Sequence, residues 1–460
     1  MPRVRIEYGG SWDAAAVEQV LGVPPLAVPV VRSPVLSVDG LVEPDATAWL
    51  AEVYARTDGT KTAKSHAESL QRFASFLLEH GTTLRGARHG HIVEYVRHRT
   101  EDAATRVAGA TWQRDRTAIK QFYEWLRDAH GTALPFTLDL VPTPGGPVES
   151  MREGRGIPAA GAPGTPLEPP QIPQLLAAAQ RATASWAPGV PSPAGARDAA
   201  FIALGLACGA RADTLAHLTI YELPDPSLPG ELVEMYLPGA VSKGRREVRL
   251  RAFRRHLDLV YDYLHPERGA RRLLLKDWLP PDPIQAAKPP VPGSREIFDT
   301  AGTRYRFNSM TAAERRRLLT PDGEPAMLFL SARDGAPLSY SAAEELTADV
   351  SRAAEAAARA RGAYFPHVHT HDLRHTYATH LAALYLIGAA DQDMPGGHPV
   401  DARGAVGLAA TGLGHLDAQT TAVYIRQVGS MARRYGAADF LGRTRTDPAP
   451  ESRAAQQEDP

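Results

Sequence analysis

The sequence predicts a mainly α-helical protein with a small antiparallel β-sheet, organised in at least two domains. Three observations support this prediction. Apolar residues recur at helical spacing through residues 41–140 and again after residue 170. Two short β-type segments, ELVEMYLPG and REVRLRA, are joined around the turn sequence SKGRR. A stretch dense in Pro and Gly separates the helical parts, and 460 residues suffice for two or more domains, each with its own core.

The composition is that of a soluble globular protein, with 43% hydrophobic and 22% charged residues. No apolar run approaches the roughly 20 residues that a membrane helix needs, and the segment MPRVRIEYGGSWDAA lacks the apolar core of a secretory signal. The chain has one cysteine, Cys208, which excludes an internal disulfide and favours a reducing cytoplasm. We therefore expect a cytoplasmic protein without a membrane partner.

The first part of the chain is expected to begin with an N-terminal arm, residues 1–40, whose apolar and Pro residues follow no clear period. Residues 41–140 are predicted to form a bundle of four or five short helices. The apolar positions at helical spacing are Leu70, Phe73 and Leu77; Ile92, Tyr95 and Val96; and Ile119, Phe122, Tyr123 and Leu126.

Positive charge is concentrated in this helical part. Between Lys61 and Arg127 there are twelve Lys and Arg residues against seven Asp and Glu, an excess of five, whereas the whole chain has a net charge of −1. Such a distribution is a moderate footprint for binding nucleic acid, because the local charge matters more than the sum.

The middle of the chain begins with residues 141–170, which are predicted to be an interdomain linker because Pro and Gly at this density break helices and central strands. A helix is expected from about Pro170 to Thr183, and an apolar helix from Arg197 to Cys208 breaks at Gly209. Arg211 then lies in a turn, and Asp213 is the expected N-cap of the next helix.

Two segments near the C-terminus combine side chains that suit phosphoryl chemistry. In HDLRHTYATHL, His371 and Arg374 are three residues apart and share one face of a helix. In TGLGHLDAQTTAVYI, His415 follows a Gly-containing turn, and Tyr424 comes nine residues later on a helix predicted from Asp417 to Val428. An arginine binds two phosphate oxygens at once, a phenol is a nucleophile, and imidazoles transfer protons.

These segments resemble the tyrosine recombinase, or phage integrase, family. HDLRHTYATHL is similar to the second active-site box of that family, and LGH followed by a tyrosine at nine residues matches the rest. The sequence around Arg211 resembles the first box in part, since Thr214 stands where the family usually has a glutamate. Whether Asp213 or Thr214 takes over the supporting role is open. Lys243 stands where the family carries a β-hairpin lysine, with Arg245 as its main competitor.

The resemblance implies a SAM-like helical core-binding domain at residues 41–140 and an α+β catalytic domain at residues 171–442. Compared with the family, the catalytic part contains two longer regions, expected to be inserted lobes or loops near residues 265–325 and 388–407. A long Ala-rich helix is expected from Ser341 to Arg361, and the polar tail 443–460 is expected to be disordered.

The resemblance also implies a mechanism. Arg211, Arg374 and His415 bind the phosphate oxygens, His371 accepts the proton of Tyr424, and the phenolate attacks DNA to give a 3′-phosphotyrosine. Lys243 protonates the departing 5′-oxygen. The ester keeps the bond energy and the arginines supply positive charge, so neither ATP nor a metal ion is required and no cofactor is expected.

The expected partner is double-stranded DNA carrying recombination sites, held by four protomers, with a directionality factor left open. We expect phosphate contacts in the helical domain, and the candidates are Lys64, Arg72, Arg114, Arg116 and Lys120. The segment AADFL near Phe440 is a candidate for docking on a neighbouring protomer. This function would place the protein at the nucleoid.

Three alternatives follow from the same residues. A type IB topoisomerase uses this chemistry to relax DNA, although the spacing of His415 and Tyr424 and the separate helical domain favour recombination. A DNA-binding relative without activity is the second alternative, because Thr214 departs from the family pattern. The alternating His367, His369 and His371 suit zinc, but no second segment supplies Cys or carboxylate ligands. The two insertions favour a mobile-element integrase, and the target sequence and reaction direction stay undetermined.

Overall fold

The structure is a computed structural model that describes residues 3–8, 33–57, 60–142, 146–157, 165–181, 195–242, 244–268, 278–331, 333–388, 401–413 and 427–442. The chain divides into two compact units, Met1–Pro163 and Gly164–Pro460. Helices dominate both units, and the strands form small sheets. The predicted fold class, mainly α with small antiparallel sheets, is confirmed; within the described residues one strand pair, Leu318–Leu319 with Ile284–Gln285, is parallel.

The first unit is a helical bundle flanked by two small sheets. Its elements are β1 (Val4–Tyr8), β2 (Pro34–Val38), β3 (Leu41–Val42), α1 (Pro44–Thr57), α2 (Thr60–Glu79), α3 (His89–Thr100), α4 (Gly109–His130), β4 (Leu138–Val141) and β5 (Val148–Met151). The apolar positions predicted to face the core do so: Leu70, Phe73 and Leu77 of α2 and Ile119, Phe122 and Leu126 of α4 are fully buried. The core also contains Trp49 and Trp112.

The N-terminal residues differ from the expected arm. Strand β1 pairs antiparallel with β2, from Val4 opposite Val38 to Tyr8 opposite Pro34. Val4 and Leu36 are buried in the same apolar core as the helices. The two strands are about 30 residues apart in the chain, so the local hydrophobic pattern does not predict that they pair.

Part of the expected linker also belongs to the first unit. Strands β4 and β5 form an antiparallel hairpin, and Met151 is buried in the core of the helical bundle. The indole Nε1–H of Trp112 donates to the carbonyl of Gly154 at 2.9 Å. Gly154 has a positive φ of 66°, and a Cβ there would meet the indole ring at 2.6 Å. The prediction of a linker over 141–170 is therefore wrong for residues 146–157.

The second unit surrounds one buried helix. Its elements are α5 (Gln171–Arg181), α6 (Gly195–Cys208), α7 (Ala212–His217), β6 (Leu232–Leu237), β7 (Val248–Phe253), α8 (Arg254–Asp262), β8 (Ile284–Gln285), β9 (Glu296–Phe298), β10 (Arg304–Arg306), α9 (Ala312–Arg317), β11 (Leu318–Leu319), α10 (Tyr340–Arg359), α11 (Thr370–Leu386), α12 (Ala402–Leu413) and α13 (Ala437–Leu441). Residues 427–434 are also helical. Helix α6 is buried on nearly all sides and packs against α5, α8, α10 and α11.

Most predicted elements of this unit are present. The helix expected from Arg197 to Cys208 is α6, the two β-type segments form the antiparallel pair β6–β7, and the Ala-rich helix is α10. The predicted N-cap Asp213 is wrong, because Arg211 occupies the N-cap of α7 and Asp213 lies in its first turn. There its carboxylate still favours the helix by its position near the positive end of the helix dipole.

The region of the first expected insertion contains a small lobe, residues 278–325, with an apolar cluster of its own. Ile284, Ile297, Phe307 and Leu318 form this cluster together with Tyr221. The lobe is anchored by Arg315, whose guanidinium is fully buried and pairs with the carboxylate of Glu222 at 2.6 Å. Of the second expected insertion, residues 389–400 lie outside the described residues, and 402–407 begin helix α12.

Across the parts of the chain that the structure covers, no helix combines the length and apolarity that crossing a bilayer demands.

Candidate active site

Helix α11 carries both predicted residues of HDLRHTYATHL, His371 and Arg374, but their side chains differ in exposure to solvent. The N-cap of the helix is His369, whose backbone N–H donates to the carboxylate of Asp372 at 2.8 Å. His371 lies in the first turn and is exposed, whereas Arg374, one turn later, is only 3% exposed. The helix therefore directs an imidazole toward solvent and a guanidinium toward the body of the unit.

Arg374 contacts the end of helix α6. Its Nη1–H donates to the carbonyl oxygen of Gly209 at 2.6 Å. Gly209 has a left-handed φ of 59°, a conformation that terminates helices and that glycine adopts without strain. Two residues further, Arg211 begins α7 and is half-buried, and this burial lowers the pKa of its guanidinium. The structure thus brings the segment of Arg211 to Arg374.

The close crossing of α6 and α11 makes this contact feasible. At Gly205 the two helices are so near that a Cβ would lie 2.8 Å from Cδ1 of Leu373. Leu373 precedes Arg374 and is buried in the core around α6. A glycine on α6 therefore determines how closely Arg374 approaches Gly209.

His375 is a residue that the sequence reasoning treated as an ordinary helix position. Its ring packs edge-on against that of His371, with centroids 4.5 Å apart and planes at 85°. Burial, and then the neighbouring His371 and Arg374, lower the pKa of His375 to about 4, with Asp372 opposing them. A neutral imidazole therefore lies beside His371 at neutral pH. The spacing of four residues between two histidines on one helix was the signal for this contact.

Thr214 links α7 to the turn between β6 and β7. Its buried hydroxyl Oγ1 donates to the carbonyl of Val241 at 2.8 Å, in the 3₁₀ turn Gly239–Val241. Asp213 instead lies near the imidazole of His217, 3.8 Å away on the same helix. Thr214, one of the two residues considered for the supporting role, therefore contacts the β6–β7 turn.

Three of the six predicted catalytic residues, Lys243, His415 and Tyr424, lie outside the described residues, as does most of the helix predicted from Asp417 to Val428. The described residues continue at residue 427. Val428 and Met431 are buried in a cluster with Tyr377, Leu381 and Phe440. The chain that follows Tyr424 therefore packs on the helix that carries Arg374.

Phe440, in the segment predicted to dock on a neighbouring protomer, is fully buried in this chain, and its ring lies 5.1 Å from the ring of His380.

Two of the three alternating histidines contact each other: the rings of His367 and His369 pack edge-on, with centroids 4.6 Å apart. His367 Nδ1 lies 2.6 Å from the carboxylate of Glu355, while His371 packs on His375. Among the described residues, no three His, Cys, Asp or Glu side chains are grouped so that they could hold a metal ion.

The five candidate DNA contacts of the first unit fall into two groups. Lys64 and Arg114 are exposed, and Arg114 donates to the hydroxyl of Thr111 at 3.2 Å on its own helix. The other three bind within the unit. Arg72 donates to the buried carboxylate of Asp115 at 2.8 Å, Arg116 donates to the carbonyls of Met151 and Glu153, and Lys120 pairs with Glu124 at 2.7 Å.

Comparison with known protein families gives a match within the first unit. The family model described as the phage integrase N-terminal SAM-like domain matches residues 48–130. Residues 48–130 are therefore a SAM-like domain of the phage integrase type. The predicted relationship to that family is confirmed through this domain, which spans α1 to α4 of the bundle.

Two solved structures are similar in fold over most of the chain. One is the XerH site-specific recombinase bound to palindromic difH substrate, in a post-cleavage complex: identity is 14%, the alignment covers 85% of this chain and 83% of XerH, and the TM-score is 0.48. Another is the Tn1549 transposon integrase in complex with circular intermediate DNA, at 14% identity, 83% and 94% coverage and a TM-score of 0.44. No curated protein sequence matches the chain significantly.

Proposed function

We propose that the protein is a site-specific DNA recombinase, an integrase of the tyrosine class, that cleaves and rejoins DNA through a 3′-phosphotyrosine at Tyr424. The observation that supports it best is the hydrogen bond of 2.6 Å between Arg374 and the carbonyl of Gly209. It joins the HDLRHTYATHL helix to the end of α6, two residues before Arg211. The SAM-like domain at residues 48–130 agrees with this proposal.

In the proposed site, Arg211 and Arg374 would together bind an anion, because opposite charges attract strongly where water is partly excluded. A phosphodiester is such an anion, and its planar pairs of oxygens match the donor fork of arginine. Attack on phosphorus builds up charge on the nonbridging oxygens. Arg211 and Arg374 therefore stabilise the transition state more than the ground state, with His415 as a further donor.

The reaction needs two proton transfers. The phenol of Tyr424 has an ordinary pKa near ~10, so its proton must leave as the Oη–P bond forms, and His371 accepts it. The bond between phosphorus and the 5′-oxygen breaks, and Lys243 gives a proton to that oxygen. Religation reverses both transfers on a new 5′-hydroxyl. Since the phosphotyrosine keeps the ester energy, we propose that no ATP and no metal cofactor takes part.

DNA binding would combine both units. In the SAM-like domain, Lys64 and Arg114 are the stronger candidates for phosphate contacts because both side chains are exposed. Arg72, Arg116 and Lys120 already have partners inside the domain, which makes them weaker candidates. We propose assembly as four protomers on two DNA sites, which would place the protein at the nucleoid, and service to a mobile element.

A nicked suicide substrate tests the proposal, because loss of a short strand end traps the covalent intermediate. We expect the wild type to give a protein–DNA adduct on a denaturing gel. The Tyr424→Phe variant should give none while its DNA binding in a mobility-shift assay stays within about twofold. The matched control is Tyr364→Phe, a change at an exposed tyrosine of the same unit (83% exposed), which should form the adduct normally.

Three other results of these assays would each point to a different conclusion. An adduct in Tyr424→Phe removes Tyr424 from the mechanism. Site-specific binding without any wild-type adduct indicates a DNA-binding relative without activity. Relaxation of a supercoiled plasmid that carries no paired sites, without strand exchange between two sites, indicates a topoisomerase.

A further inference from the structure

The 3₁₀ turn Gly239–Val241, between strands β6 and β7, is held by side chains from two other segments. Asn308 of the lobe accepts the N–H of Gly239 on its side-chain Oδ1 at 2.7 Å and the N–H of Ala240 on its backbone oxygen at 3.0 Å. Thr214, which precedes the turn in the sequence, donates to the carbonyl of Val241 at 2.8 Å. Each of the three turn residues is therefore hydrogen-bonded to a residue outside the hairpin.

The turn has little room to move within this arrangement. A Cβ at Gly239 would lie 2.9 Å from Oδ1 of Asn308 and 2.8 Å from the carbonyl of Arg245, so only glycine fits. The N–H of Ser242 donates to Gly239 at 2.9 Å, and the N–H of Arg245 donates to Ser242 at 3.0 Å. The backbone on both sides of position 243 is thus part of one hydrogen-bonded loop.

The lobe contacts the strands as well as the turn. The guanidinium of Arg295 lies over the ring of Tyr236 on β6, 4.0 Å from its centroid, and also pairs with Glu247 just before β7. At its other end the lobe is anchored through the buried Arg315–Glu222 pair. The hairpin therefore rests on a structure that is itself fixed to the body of the unit.

We infer that Asn308 and Thr214 are positioning residues that hold the β6–β7 turn so that Lys243 reaches the departing 5′-oxygen. The inference rests on the proposed function, in which Lys243 is the proton donor. A donor has to come within about 3 Å of the atom that it protonates. Lysine has a long, flexible side chain, so holding the backbone at residues 239–242 would reduce the positions that the Lys243 side chain samples. In this proposal the lobe contributes to catalysis indirectly, by positioning Lys243 and not by contacting the scissile phosphate.

A substrate with sulfur in place of the scissile 5′-oxygen tests this role. A thiol has a pKa near ~8.5, so a thiolate leaves without a proton donor, whereas an alkoxide does not. We expect Asn308→Ala and Thr214→Val to slow single-turnover cleavage of normal DNA by about 10- to 100-fold, the order expected for a catalytic group displaced by an ångström. On the 5′-phosphorothiolate substrate both variants should come within about threefold of the wild type.

Conservative variants and a neighbouring control sharpen the test. Asn308→Asp and Thr214→Ser keep an oxygen or hydroxyl at the bonding position and should recover most of the lost rate. Ser309→Ala is the matched control for the lobe, since the hydroxyl of Ser309 donates to the carbonyl of Arg306 within its own turn. It should cleave both substrates at the wild-type rate.

The failure of this inference differs from the failure of the proposed function. If Lys243→Ala is rescued by sulfur but Asn308→Ala and Thr214→Val are equally slow on both substrates, the positioning role is refuted and the proton donor stands. If Lys243→Ala is itself not rescued, Lys243 is not the proton donor, and both statements about it fall. Unchanged cleavage of normal DNA by the two variants also refutes the positioning role.

Discussion

Arg374 combines a structural contact with a proposed catalytic one. Its guanidinium is nearly buried and donates to Gly209 at the end of α6. We expect Arg374→Ala to reduce single-turnover adduct formation by about 10²- to 10³-fold, or about 3–4 kcal/mol, which is the loss typical of one transition-state donor. Arg374→Lys should recover little of it, because an ammonium group cannot bind two oxygens in a fork.

The measurement is the rate of adduct formation on the suicide substrate, with the thermal midpoint of each variant recorded beside it. Arg352→Ala is a suitable control, because Arg352 is an exposed arginine that pairs with Asp349 on the surface of α10. Equal rates for Arg374→Ala and the wild type would exclude Arg374 from the reaction.

At single residues, local sequence was informative where the chemistry depends on one helix. The spacing of His371 and Arg374 predicted their helix, and α11 confirms it. The contact of Thr214 with Val241 spans 27 residues and depends on where the β6–β7 turn packs, so no local pattern reveals it. The contact of Asn308 is even less predictable from local sequence, since its hydrogen bond to Gly239 spans 69 residues and joins the lobe to the hairpin.

Among the elements, helix α4 carries the charge network that holds the SAM-like domain together. Asp115 is fully buried and accepts hydrogen bonds from Arg72 of α2 and Arg99 of α3, each at 2.8 Å, and from Ser69 of α2 at 2.7 Å. One carboxylate therefore joins three helices. Removing it leaves the guanidinium of Arg99, which is 10% exposed, without its counter-ion.

We expect Asp115→Ala to lower the free energy of unfolding of the SAM-like domain by about 3–5 kcal/mol, the cost of an uncompensated buried charge. Denaturant titration followed by tryptophan fluorescence measures the change. Asp128→Ala is the matched control on the same helix: Asp128 pairs with Arg127 at the surface, and such pairs contribute little. Similar midpoints for the two variants would contradict the structural role of Asp115.

The elements that were predictable from sequence are those whose pattern is complete within one segment. Helix α6 follows from an unbroken apolar run and the hairpin β6–β7 from two short segments around a Gly-containing turn. The hairpin β4–β5 escaped prediction because its Pro and Gly residues indicate an open linker, while its stability comes from Trp112 on another element. Lys243, His415 and Tyr424 remain predictions.

For the molecule as a whole, buried histidines make stability depend on pH. His380 of α11 is buried, its Nε2–H donates to the carbonyl of Leu167 at 2.8 Å, and burial lowers its pKa to about 4. His256 lies nearby, and burial, with Arg255 and His380 as further causes, lowers its pKa well below the ordinary value. Unfolded histidine binds protons below about pH 6.5, whereas these folded imidazoles resist protonation until the pH is much lower.

The unfolded state therefore binds more protons than the folded state over this range, so the free energy of unfolding falls as the pH decreases from about 6.5 toward 4. His380 alone contributes about 3 kcal/mol to the loss when its pKa difference is converted at 1.4 kcal/mol per unit. Denaturant midpoints of the second unit at pH 7.5, 6 and 5 should show this decline.

His380→Gln keeps a donor for Leu167 without a titrating group, and it should make the decline between pH 6.5 and 5 shallower, with His256 still contributing. His265→Gln, a change at an exposed histidine of the same unit, should leave the decline as in the wild type. An identical pH profile for His380→Gln and the wild type would show that another group causes the acid sensitivity.

The packing of Trp112 against residues 146–157 determines where an expressed fragment of the first unit should end. The recognised domain ends at residue 130, yet the indole nitrogen of Trp112 donates to Gly154, and Met151 fills the same interior. A fragment cut at residue 130 would expose an aromatic interior and leave a polar N–H without its acceptor. A fragment that runs from the first strand through residue 157 retains this interior, and expression of the first unit alone should use those ends.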